Sequence, residues 1–266
     1  MRTSAIKYTV PSKHITYEQP LNEKVRNFLR VEYLFEQLEH YIDDLNEWNS
    51  RNAMSSLIEV LDFLARLDIK TELIKELERY SGIITALENT PGVDDHRLRV
   101  ILEEINICLK TIRDANFQAG QTLRQNEFIT SVKQRNSIPG GTCNFDLPGY
   151  YFWLHSHNID KKQQLNDWQK EIVIIKRAVK LVLELIRNSS NPKIKKAERG
   201  FYQQSIESDA TCQLIRVKLP SESNYYPEIS GGKHRFTVRF MEIPSINQRP
   251  VQTGDEVEFE LHCCNL

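Results

Sequence analysis

The stretch SIPGGTCNFDLPGYYFWLHSH, residues 137 to 157, carries Cys143, Asp146, His155 and His157. These are the groups of a thiol nucleophile, its base and an orienting acid, the chemistry of group transfer through a covalent intermediate. The neighbouring residues favour a structural role. Pro139 and the Gly140-Gly141 pair stop one helix, and Pro148 is tolerated in the first turn of the next. Tyr151, Phe152, Trp153 and Leu154 are continuous bulk, so the segment reads as a packed corner. Free cysteines are commonly buried and inert, and no local protease signature accompanies Cys143. No Gly-Lys-Ser/Thr follows the glycines, which removes the phosphate-loop reading. A small-molecule transferase or hydrolase using Cys143 is the competing functional class.

Other reactive groups are more dispersed. His262, Cys263 and Cys264 could offer metal ligands, but neighbouring strand residues point to opposite faces and no CxxC partner exists, so no metal site is expected. Asp43-Asp44 and Asp94-Asp95 fall at helix boundaries, where carboxylates cap amide groups. What remains is a basic set with the character of a partner-binding surface: Arg26 and Arg30 one helical turn apart, Lys133 and Arg135 before the glycine corner, and Lys233, Arg235 and Arg239 on one strand.

The elements that must hold these groups change character near residue 190. Before it, apolar residues recur at helical spacing. Val25, Phe28, Leu29, Val31, Leu34, Phe35, Leu38 and Ile42 form one stripe, and Arg26, Arg30 and Gln37 lie on the other side. Further helices are expected at about 51–67, 71–89, 95–115 and 119–136, with one long helix over 160–188. The last carries Leu165, Trp168, Ile172, Ile175, Val179, Val182 and Ile186, with Ile174, Ala178, Leu181 and Leu185 beside them. That arc is wider than a single core face needs, so the helix is expected at the domain centre or at a subunit interface.

After the linker NSSNPKIKKAER the period becomes two. CQLIRVKL, KHRFTVRF and EVEFELH each alternate apolar and polar residues, as half-buried strands do. Phe236, Val238 and Phe240 take one face, leaving Lys233, Arg235 and Arg239 on the other; Arg216 and Lys218 extend the patch if their strand is a neighbour. Glu256, Glu258 and Glu260 neutralise it if theirs is. The expectation is α+β: a possible edge strand within the N-terminal extension 1–20, an all-helical domain over 21–190 and a small antiparallel β-sheet domain over 191–266.

Composition excludes several classes. The 35 Lys+Arg and 36 Asp+Glu give a net charge of −1, so no global field draws the chain to nucleic acid or to an anionic membrane. No apolar run approaches the ~20 residues of a membrane span. Five cysteines at unrelated spacings suit a reducing cytoplasm better than a disulfide framework.

The ordered series PLNEKVRNFLRVEYLFEQL, DIKTELIKELERY, PGVDDHRL, SIPGGTCNFDLPGYYFWLH, LELIRNSS, GFYQQ and YPEISGGKHRFTVRFM resembles the motifs of the ZapD cell-division family over nearly the whole chain. The resemblance implies a cytoplasmic homodimer at the division site that binds the C-terminal tail of the tubulin-like protein FtsZ and bundles its filaments. It implies no catalysis and no cofactor. Arg30, Arg235 and Arg239 stand where the motifs place arginine, whereas Glu127 and Tyr151 stand where basic residues are expected.

Overall fold

The computed structural model describes residues 14–87, 94–206, 212–232, 234–245 and 247–265. These fall into two compact units, one drawn from Met1–Arg26 with Glu184–Leu266 and the other from Asn27–Leu183. The architecture is α+β: one strand at His14–Pro20, then a run of helices, then the remaining strands of two antiparallel sheets.

The helices are α1 (Glu23–Asp43), α2 (Glu47–Arg66), α3 (Ile69–Leu87), α4 (Asp95–Ile112), α5 (Gln121–Gln125), α6 (Glu127–Asn136), α7 (Pro148–Leu154), α8 (Asn158–Gln169) and α9 (Val173–Asn188). The expected apolar stripe of α1 becomes its buried face: Val25, Phe28, Val31, Phe35, Leu38 and Ile42 are buried, and Leu29 and Leu34 at its margins are half-buried. Asn22, Asn46 and Asp94 accept amide hydrogens at the starts of α1, α2 and α4, removing donors that a helix N-terminus leaves open.

Two expected helices are broken. The 119–136 segment divides at Asn126, whose side chain caps α6 by accepting from the Ile129 amide at 3.1 Å. The long 160–188 helix divides at residues 170–172, where the Ile172 amide bonds to the Gln169 carbonyl and the Ile175 amide to the Ile172 carbonyl, each only three residues back. That tightening shifts the helical phase. Trp168 is held by Trp153 and Phe128 on one side of the break, and Ile172 presses against Gly120 on the other.

The other unit is a sandwich of two antiparallel sheets. Its strands are β1 (His14–Pro20), β2 (Lys193–Ala197), β3 (Phe201–Ser205), β4 (Cys212–Pro220), β5 (Tyr226–Gly231), β6 (Arg235–Glu242), β7 (Val251–Gln252) and β8 (Val257–Asn265). One sheet has the order β1-β4-β8-β2; the other is β3-β6-β5, with β7 also on β6. Ile215, Val217 and Leu219, with Val257, Phe259 and Leu261, meet Phe236, Val238 and Phe240 to form the core between them. On β1, Glu18 receives Arg187 and Arg216, each at 2.8 Å, fastening the N-terminal strand to α9's last turn and to β4.

Candidate partner-binding surfaces

The Pro-Gly-Gly corner is a stack of tight turns. Gly140 has φ of 71°, and a Cβ on Gly141 would stand 2.5 Å from the Arg135 carbonyl oxygen, so side chains are excluded where the chain doubles back. Arg51 braces it, lying over the Trp48 and Tyr150 rings and donating to the Thr142 carbonyl. Tyr150, Trp153 and Leu154 are buried; Phe145 and Phe152 face solvent. Cys143 is exposed. His155 directs Nδ1 to the Tyr151 carbonyl at 2.9 Å and Nε2 toward Glu47, and Asp146 lies 3.8 Å from Arg135. His155 and Asp146 thus have separate partners, and the three candidate groups do not assemble a relay. Among the described residues there is no cluster of three or more His, Cys, Asp or Glu able to hold a metal.

The basic residues divide by pairing. Arg26 is bonded to Glu23 at 3.1 Å, Arg135 faces Asp146, and Arg239 is bonded to Glu228 at 3.1 Å across β5 and β6. Arg30 and Arg235 make no ion pair with any described residue, and both are exposed. Lys233 lies outside the described residues.

Arg235 and Arg239 share the outer face of β6, opposite buried Phe236, Val238 and Phe240. Beside them the register sets Phe201, Gln203 and Ser205 on β3, and Glu228 and Ser230 on β5. Arg235 borders a shallow depression of about 510 Å³ that Gln203, Ser230, His234 and Thr237 also line. Such a surface offers two guanidinium forks, an amide and hydroxyls to a peptide carboxylate.

Two strands that could have stood beside this face are elsewhere. Arg216 and Lys218 do not extend this patch, because β4 belongs to the other sheet and they are bonded to Glu18 and Glu260. The acidic strand does not neutralise it either: β8 lies between β4 and β2, where Glu256 pairs with Lys196.

Arg30 borders a second concavity, a groove of about 350 Å³ between α1 and α2 lined with Tyr33, Leu34, Phe63 and Arg66, together with Glu59 and Asp62. The sequence reading did not single out Tyr33, Phe63 or Arg66. The steps of three from Arg30 to Tyr33 and from Phe63 to Arg66 were the available signal, since such pairs share a helix face. Lys133 is bonded to Asp62, and no ion pair joins Asp62 to Arg30 among the described residues.

One electrostatic arrangement in the sandwich has a measurable consequence. Lys218 at 2.8 Å and His262 at 2.6 Å hold the Glu260 carboxyl below the usual carboxylate range. A group with a depressed folded-state pKa contributes stability that is present above its unfolded value and lost as pH falls through the folded one. Glu260→Gln is therefore expected to lower the urea midpoint at neutral pH, with the gap from wild type closing as pH drops below about 4. A gap constant with pH would refute this account.

A family model described as ZapD, cell division protein, matches residues 29–239. The chain is 40% identical over 252 residues to the cell division protein ZapD of Methylococcus capsulatus, covering 95% of this chain and 98% of that protein. It is 36% identical over 253 residues to that of Coxiella burnetii, with the same coverage. Against that of an Enterobacter species it is 36% identical over 256 residues, 95% of this chain and 100% of the relative. No helix among the described residues is long and apolar enough to cross a membrane.

Proposed function

The chain belongs to the ZapD family of cell-division proteins, and from that premise we propose that it binds the C-terminal tail of FtsZ and cross-links FtsZ filaments as a homodimer. Its place of action is then the cytoplasm at midcell, and it works without catalysis or cofactor. The observation that carries the reading is that, among the described residues, Arg235 has no ion pair and Arg239 is tied only to an exposed carboxylate, on the solvent face of a sheet whose other face is core. Guanidinium groups so placed suit a peptide carboxylate, and their exposure favours fast, salt-sensitive capture over a buried lock. A symmetric dimer carries two copies of such a surface, the minimum for a cross-linker.

The test is co-sedimentation with polymerised FtsZ, full-length and lacking its tail. The chain is expected to pellet and to thicken bundles only with the full-length polymer. Equal pelleting with the tailless polymer would overturn the proposed site of contact on FtsZ. The competing reading, catalysis by Cys143, predicts that Cys143→Ser loses function; full bundling by that variant is the expected result.

A further inference from the structure

The two strands β4 and β8 pair with one irregularity. Ile215 stands opposite Cys263 and Leu214 opposite Cys264, yet the next aligned pair is Cys212 with Asn265, leaving Gln213 as an extra residue. Because strand side chains alternate, Cys263 and Asn265 share a face, and the bulge turns Cys212 onto that same face. In unbroken register Gln213 would stand there and Cys212 would point away. Both thiols are partly buried at the rim of the sandwich core. They line a cavity of about 290 Å³ together with Ser190, Lys193, Gln204 and Asn265.

Their surroundings make the two thiols unequal. Cys212 Sγ donates to the Leu214 carbonyl at 3.7 Å, and Gln204 Nε2 donates to the Cys263 sulfur at 4.0 Å. The neighbouring Cys212 thiol and the Lys193 and Lys195 ammonium groups hold Cys263 below the usual thiol range against the effect of burial. The neighbouring Cys263 sulfur and burial push the Cys212 thiol up. Of the other three cysteines, Cys108 is buried in α4, with burial pushing its thiol up to about 11, Cys143 is exposed on the corner, and Cys264 stands opposite Leu214 on the other face of β8, hydrogen-bonded with Ser190 at 3.5 Å.

We propose that Cys212 and Cys263 form a site for thiol–disulfide exchange with low-molecular-weight disulfides, closing a bond between β4 and β8. Cys263 thiolate attacks one sulfur of the small disulfide, forming a mixed disulfide and expelling the first small thiolate. Cys212 then attacks the Cys263 sulfur, and its proton leaves with the second small thiol. The protein dithiol is oxidised by two electrons and the small disulfide is reduced to two thiols. The cavity supplies room for the small thiol in the mixed-disulfide stage, and the bulge supplies the shared face.

The test treats the reduced full-length chain with oxidised glutathione, quenches it by alkylation and maps the peptides by mass. Wild type is expected to lose the Cys212 and Cys263 thiols together and to yield their cross-linked peptide, while Cys108 stays alkylatable. Cys212→Ser should stop at a glutathione adduct on Cys263, and Cys263→Ser should leave Cys212 free. At neutral pH, Cys263 should alkylate about tenfold faster than Cys212. Cys143 serves as the exposed reference thiol. If Cys143 forms the adduct while Cys212 and Cys263 remain free, or if the cross-link joins Cys264 instead, the proposal is overturned. The wild-type map alone decides this, whatever the folding of the variants.

Discussion

Arg235→Glu combined with Arg239→Glu is expected to abolish co-sedimentation with FtsZ while leaving a folded protein. Both side chains are exposed on β6, so their loss removes no core contact. Exchanging a favourable charge contact for a repulsive one is worth about 2 kcal/mol per site, or roughly a thousandfold in affinity if the two add. Arg239→Glu also sets two carboxylates across from each other at Glu228, which costs stability of up to about 1 kcal/mol. The melting temperature should therefore move by a few degrees at most, and wild-type binding should weaken as salt rises because exposed charges are screened within ~8 Å at physiological ionic strength. Unchanged binding per folded molecule would remove this face from the site. The search would then pass to the groove beside Arg30, where Arg30→Glu is the matching substitution.

The second large effect concerns self-association. Ile174 and Leu181 on α9 are half-buried, unlike Ile175, Val179 and Val182, which are buried. Arg177, between them in the chain, is bonded to Glu104 on α4, whose neighbours Val100 and Ile107 are exposed, as is Val173. An apolar strip around an ion pair suits the centre of a homodimer contact, where large apolar anchors carry most of the binding energy. Ile174→Glu with Leu181→Glu is expected to weaken dimerisation by about a hundredfold or more, since each carboxylate would be buried unpaired. Sedimentation should return a folded monomer that still binds FtsZ but no longer bundles it. A dimer that survives both substitutions would exclude this face.

The sequence was a good guide to which side of each element is buried and a poor guide to which elements are neighbours. Alternation in RFTVRF put Phe236, Val238 and Phe240 inward and the arginines outward, as found. It carried no information on sheet membership, so whether Arg216 and Lys218 stand beside β6 was left open, and the backbone sends β4 into the other sheet. Periodicity also passes unbroken through residues 170–172, because the interruption has no proline or glycine and depends on Trp153, Phe128 and Gly120, remote in sequence. Asn126 was a local signal for the other break, being a favoured N-cap residue followed at once by an acidic residue, Glu127, in the first turn. The candidate site was legible in its charges. Its pairing was not, since whether Arg239 meets Glu228 or Arg30 stays free of Asp62 is decided by tertiary placement.

The pairing of β1 with β4 has a consequence for biosynthesis. His14 must wait for Pro220, roughly two hundred residues later, and β4 itself lies between β1 and a strand, β8, whose residues leave the ribosome after those of every other strand. The residues of the helical unit, Asn27–Leu183, are complete well before that moment. Non-local strand pairing is slow and leaves open edges while it waits. The sandwich is thus assembled late, and a nascent chain halted before Val257 holds a full set of helices but a sheet whose β1-β4 and β2 portions have no strand to join them.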